Sequence, residues 1–95
     1  MRIVKEIPHP RFKISVFSWN GKYLIKIEDG HLEQVYKINE GEMELNEMEA
    51  MLSTDFLLGV LERFGKMSDD FYDAWKNRHV HPKPWFWNEN PEETV

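Results

Sequence analysis

Two dipeptides, Asn20-Gly21 and Asp29-Gly30, constrain this chain more than any other feature. A type I′ turn needs positive φ at both central residues, which Asn-Gly and Asp-Gly supply, and each dipeptide here is flanked by apolar-rich runs. They divide residues 11–38 into "RFKISVFSW", "KYLIKIE" and "HLEQVYKIN". All three runs are rich in β-branched and aromatic residues, as strands require. A fourth strand, "RIVKEI", precedes them and ends at Pro8-His9-Pro10.

With both dipeptides at the centres of two-residue turns, the pairing follows. Trp19 lies opposite Lys22, Phe17 opposite Leu24, and Ile14 opposite Ile27. Across the second turn, Ile27 lies opposite Leu32, Lys26 opposite Glu33, Leu24 opposite Val35 and Tyr23 opposite Tyr36. Side chains alternate between the two faces of a sheet. One face then collects Phe12, Ile14, Val16, Tyr23, Ile25, Ile27, Leu32, Tyr36 and Ile38, interrupted by Ser18 and Gln34. The other collects Arg11, Lys13, Ser15, Lys22, Lys26, Glu28, His31, Glu33 and Lys37. This charged face also carries an apolar stripe of Phe17, Leu24 and Val35, with Trp19 beside it. A contiguous apolar row on a charged face calls for something to cover it.

The remainder is helical. Asn46-x-x-Glu49 has the form of a capping box opening a short helix through Leu52. Ser53 or Thr54 caps "DFLLGVLERF", whose apolar residues recur at helical spacing. Gly65 suits the position just past a helix end, and Ser68 then caps a third helix with Phe71, Tyr72 and Trp75 on its inner face. Prolines 82, 84 and 91 end regular structure. The expected architecture is α+β: a three- to four-stranded antiparallel β-meander followed by two or three α-helices packed on one face. Residues 1–80 form one domain, and residues 81–95 form a Pro/aromatic arm carrying Trp85, Phe86 and Trp87.

The stretch "EIPHPRFKISVFSWNGKYLIKIEDGHLEQVYKI", followed by "FLLGVLERF", resembles a family of small bacterial proteins of unknown function, of Bacteroidetes type. The resemblance covers about residues 5–80 and implies no activity, ligand or site residue. Four antiparallel strands followed by a helix is also similar in outline to purine-rich-element-binding repeats and Whirly-type single-strand binders, with no shared motif.

Charge is unevenly distributed. Residues 1–39 carry seven Lys/Arg and four Asp/Glu, whereas residues 40–95 carry five and thirteen. There is no cysteine, which removes disulfides and thiolate chemistry. The N-terminus lacks the apolar core of a signal peptide, and no apolar run approaches the ~20 residues that cross a bilayer. These features point to a cytoplasmic protein without a membrane partner.

No catalytic group stands out. The serines show no nucleophile elbow, and Ser53 and Ser68 are explained as caps. Asp69, Asp70 and Asp73 suit the first turns of a helix, where the dipole favours negative charge. His79-x-His81, with His9 as a third donor, is a weak chelate beside the four ligands of a structural metal site. No metal or other cofactor is expected, nor an enzyme. The leading reading is a non-catalytic protein-interaction module that binds a protein partner or a second copy as a homodimer. Its contacts would be Phe17, Trp19, Leu24 and Val35 together with Trp85, Phe86 and Trp87. The alternative is single-stranded nucleic acid on the outer face, with Arg11, Lys13, Lys22, Lys26 and Lys37 for phosphates and Phe17 and Trp19 for stacking.

Overall fold

The computed structural model describes residues 1–79; the arm with Trp85, Phe86 and Trp87, and His81, lie outside the described residues. Four strands form one antiparallel sheet in chain order: β1 (Arg2–Ile7), β2 (Lys13–Trp19), β3 (Lys22–Asp29) and β4 (Leu32–Asn39). Two helices follow, α1 (Leu45–Met51) and α2 (Thr54–Lys76).

The β2–β3 hairpin has the expected register, with Trp19 opposite Lys22, Phe17 opposite Leu24 and Ile14 opposite Ile27. Asn20 and Gly21 take φ of +54° and +77°, the double positive φ of a type I′ turn. The β3–β4 register differs from the expectation by two residues. Asp29 pairs with Leu32, Lys26 with Val35, Ile25 with Tyr36 and Leu24 with Lys37. The turn residues are therefore Gly30-His31, with positive φ only at Gly30 (+66°), as a turn with glycine at its first central position requires. Asp29 stays in the strand, where its carboxylate accepts from Arg11 Nε and Nη2 at 3.2 and 3.1 Å. A shift of two preserves the side-chain parity, so the residues within the strands keep their expected faces. Arg11 and His31, expected on the outer face, lie outside the strands and instead sit on the helix side, Arg11 against Asp29 and His31 against Phe71. Val35, however, is no longer opposite Leu24.

The inner face builds the core. Phe12, Ile14, Val16, Ile25 and Ile27 are buried in one cluster with Met48 and Leu52 of the α1 region and Val60 and Phe64 of α2. A fully buried aliphatic side chain contributes about 1.5–3 kcal/mol, so this cluster supplies much of the stability. The two polar interruptions on this face are both satisfied. Ser18 donates to Glu40 Oε2 at 2.7 Å. Gln34 donates from Nε2 to the Val60 carbonyl at 3.0 Å, and its Oε1 accepts from Tyr36 Oη and Arg63 Nε, each at 3.1 Å.

The helix boundaries differ from the expectation in two places. The N-cap of α1 is Glu44, whose N–H donates to Glu47 Oε1 at 2.8 Å. Because the helix starts at Leu45, its N3 residue is Glu47; Glu49 lies beyond that position and pairs with Lys5 of β1 at 3.1 Å. Ser53 does cap α2, accepting from the Phe56 N–H at 3.2 Å. That helix then runs unbroken for 23 residues through Gly65 and Ser68. An interior glycine costs ~1 kcal/mol relative to alanine. Phe64 and Met67, which flank Gly65 and pack on the core cluster, offset that cost.

Two measurements follow. The Hα protons of Lys26 and Val35, a non-hydrogen-bonded pair, should show a strong cross-strand nuclear Overhauser effect; one between Ile27 and Leu32 would instead mark the Asp-Gly turn. Met48→Ala should destabilise by about 2–5 kcal/mol in denaturant unfolding, because Met48 is fully buried where α1 meets the sheet.

Candidate interaction surface

Helix α2 spans about 34 Å at 1.5 Å per residue, longer than the ~27 Å of an eight-residue strand. It runs antiparallel to β4. Phe56 meets the Tyr36 ring edge-on, Val60 meets Gln34, and Phe71 meets His31 in the turn at the end of the sheet. From Ser68 onward every described residue of the helix is exposed. Leu57, Val60 and Phe64 lie on one helix face, and at 100° per residue Phe71 and Trp75 continue that face, with Tyr72 at its flank.

The result is an aromatic ledge beyond the sheet. Phe71, Tyr72 and Trp75 are 52%, 62% and 56% exposed. The Phe71 and Trp75 rings lie 6.1 Å apart, Lys76 Nζ sits 5.1 Å from the Tyr72 ring, and the Arg78 guanidinium sits 5.1 Å from Trp75. With His31, Leu32 and Ser68 these rings line an open groove of about 550 Å³. The inner-face role expected for the three aromatics is therefore not met, because one continuous helix carries them past the edge of the sheet. No sequence signal separates a buried helical stripe from one that outruns its sheet.

The outer sheet face holds Phe17, Trp19, Leu24 and Val35 as the alternation requires, in a different arrangement. Ile3 of β1 lies opposite Phe17, which lies opposite Leu24, which in turn lies opposite Lys37. The apolar row thus crosses β1, β2 and β3, with Val35 offset beside Lys26. Lys26 Nζ lies over the Phe17 ring, 5.6 Å from its centroid, and 3.5 Å from Glu33 Oε2. Leu24 is buried at 8% exposure and Phe17 is half-buried, while Trp19 and Val35 are exposed.

The five cations singled out for nucleic acid separate into two groups. Arg11 is held by Asp29 and lines a groove with Leu61, Phe64 and Ser68 of α2. Lys26 is paired with Glu33. Lys13, Lys22 and Lys37 are exposed and make no ion pair among the described residues. Glu28 and Glu33 lie directly opposite each other on the same face.

His9 has a structural role. Its Nδ1 accepts from the N–H groups of Arg11 and Phe12 at 3.1 and 3.0 Å, and its ring stacks on Phe12 at 4.9 Å. This turns the chain between β1 and β2 and occupies the nitrogen nearest the backbone. No group of three or more metal-ligating side chains occurs among the described residues. None of the described helices is long and apolar enough to cross a membrane.

Comparisons with family models, curated proteins and solved structures gave no match.

If the ledge has no partner within the chain, Phe71→Ser with Trp75→Ser should cost less than about 1 kcal/mol in thermal or denaturant unfolding. Phe64→Ala, on the buried part of the same helix face, should cost about 3–5 kcal/mol. The double variant should also bind less of a hydrophobic dye than the wild type.

Proposed function

We propose that this protein is a non-catalytic interaction module that docks another polypeptide on the aromatic ledge of α2. One observation carries the reading: the helix face that packs on the core through Val60 and Phe64 continues as Phe71 and Trp75, which the described residues leave more than half exposed. Aromatic side chains offer large contact area at low conformational cost, and they dominate the energetics of interfaces. Lys76, Arg78, Asp70 and Asp73 rim the ledge and would set the orientation of a partner. The reading takes both helices to lie on the inner face of the sheet, supported by the shared cluster of Met48, Leu52, Val60 and Phe64 with the strand residues. The outer-face residues Phe17, Trp19, Leu24 and Val35, and the arm residues Trp85, Phe86 and Trp87, remain secondary contacts in this proposal.

Single-stranded nucleic acid on the outer face is the second reading, favoured by exposed Lys13, Lys22 and Lys37 near Phe17 and Trp19. It is the weaker one, because Arg11 and Lys26 are already paired with acids and Glu28 and Glu33 share the face. Electrostatic binding of a strand would weaken steeply with salt.

A photo-crosslinking side chain at position 72 distinguishes the readings in the native cell. The ledge reading expects defined adducts to another polypeptide, lost when Phe71→Ser and Trp75→Ser are added and retained when Lys22→Glu and Lys37→Glu are added. Adducts that survive the loss of both rings would sink it. Measurable binding of mixed-sequence oligonucleotides at low salt, abolished by Lys22→Glu with Lys26→Glu, would establish the second reading instead.

A further inference from the structure

The sheet has two edges, and they are built differently. The edge strand β1 is interrupted, with a register shift between Ile3 and Lys5 that leaves Val4 outside the regular pairing. Such a bulge twists an edge away from further pairing, and Pro8 follows the strand directly. The opposite edge, β4, pairs with β3 over eight consecutive residues without interruption and contains no proline.

The backbone groups on that edge can be assigned. Narrow and wide pairs alternate along an antiparallel ladder. The Glu40 N–H donates to the Gly21 carbonyl at 3.1 Å, in register with the β3–β4 ladder. The even-numbered residues of β4 therefore turn their N–H and C=O toward β3. Glu33, Val35, Lys37 and Asn39 turn theirs away, toward the edge that no described strand occupies.

We propose that the β4 edge binds a second copy of itself, antiparallel, about a two-fold axis at Val35. This surface is separate from the α2 ledge. Side-chain charge selects both the partner and the register. With Val35 opposite Val35, Glu33 of each copy meets Lys37 of the other, twice over, and the outward backbone groups face each other at all three positions. On the inner side, Gln34 meets Tyr36 and Leu32 meets Ile38. Sliding the register by two residues leaves Glu33 and Lys37 without each other. Sliding by four sets Glu33 on Glu33, or Lys37 on Lys37, which is repulsive. The contact is isologous, so it closes at two chains and does not propagate into a fibre. A shallow groove lined by Val35, Tyr36, Arg63, Lys66 and Asp70 lies beside this strand, and among the described residues no further strand pairs with it. The dimer is an eight-stranded sheet.

Sedimentation equilibrium of the full chain over a range of concentrations tests this. The wild type should be a reversible dimer. Lys37→Glu and Glu33→Lys should each raise the dissociation constant at least about tenfold, since each turns two attractive pairs into repulsive ones. An equimolar mixture of the two variants should recover dimerisation, because opposite charges then meet again at both positions. In the wild type, the amides of Glu33, Val35 and Lys37 should gain hydrogen-exchange protection as concentration rises, a readout that needs no variant. A wild type that stays monomeric to about 1 mM would overturn the proposal. So would a dimer insensitive to both charge reversals, and one lost on Phe71→Ser with Trp75→Ser would move the contact to the ledge.

Discussion

The parity of the β2–β3 hairpin is the constraint on which the rest of this structure depends. Asn20 and Gly21 close that hairpin with two left-handed residues, and every inner-face contact follows from the alternation they set. Val16, Ile25 and Ile27 become fully buried because one face of β2 and β3 is apolar at every second position. A slip of one residue would bring Lys26 and Glu28 inward and expose that set. The β3–β4 pairing could shift by two without penalty to the core, because an even shift leaves the faces unchanged.

Polar contacts then fix how α2 sits on the sheet. Gln34, on an otherwise apolar face, donates to the Val60 carbonyl and accepts from Arg63 and Tyr36. Arg63 also donates from Nη2 to Tyr36 Oη at 3.1 Å, and its guanidinium lies 5.8 Å from the Phe56 ring. A half-buried amide with both ends engaged sets the position of a helix along a strand, which apolar packing alone does not specify as sharply. Gly59 leaves room for the Arg63 guanidinium, whose Nη1 would lie 3.3 Å from a Cβ there, a tight contact that a small shift of the arginine would relieve.

That placement decides what the helix exposes. A helix of 23 residues anchored at Gln34 must overshoot the sheet, and the residues it carries past the edge are Phe71, Tyr72 and Trp75. The outer face shows the opposite behaviour. Its apolar row, expected to need an external cover, is partly shielded within the sheet: Leu24 is buried, Phe17 is half-buried, and the Lys26 amino group sits over the Phe17 ring and pairs with Glu33. A lysine stem covers apolar surface while its amino group stays solvated. The centre of exposed apolar area therefore moves from the sheet to the helix.

Local chemistry was legible in the sequence because it acts over a few residues. The four strands, the Asn20-Gly21 turn, the face of each strand residue and the Ser53 cap all follow from turn preference, alternation and capping. Tertiary structure decided the rest. His31, not Asp29, shares the second turn with Gly30, and Asp29 in its strand position meets Arg11, eighteen residues upstream. Glu49, expected to cap α1, lies inside the helix and pairs with Lys5 in β1. Whether the helix stopped at Gly65 depended on Phe64 and Met67 reaching the core. Periodicity marks which side of a helix is apolar, but the length of the sheet beneath it decides where that side runs out of cover. Phe64 is buried and Phe71 is exposed on one face of one helix, because the strands end between them.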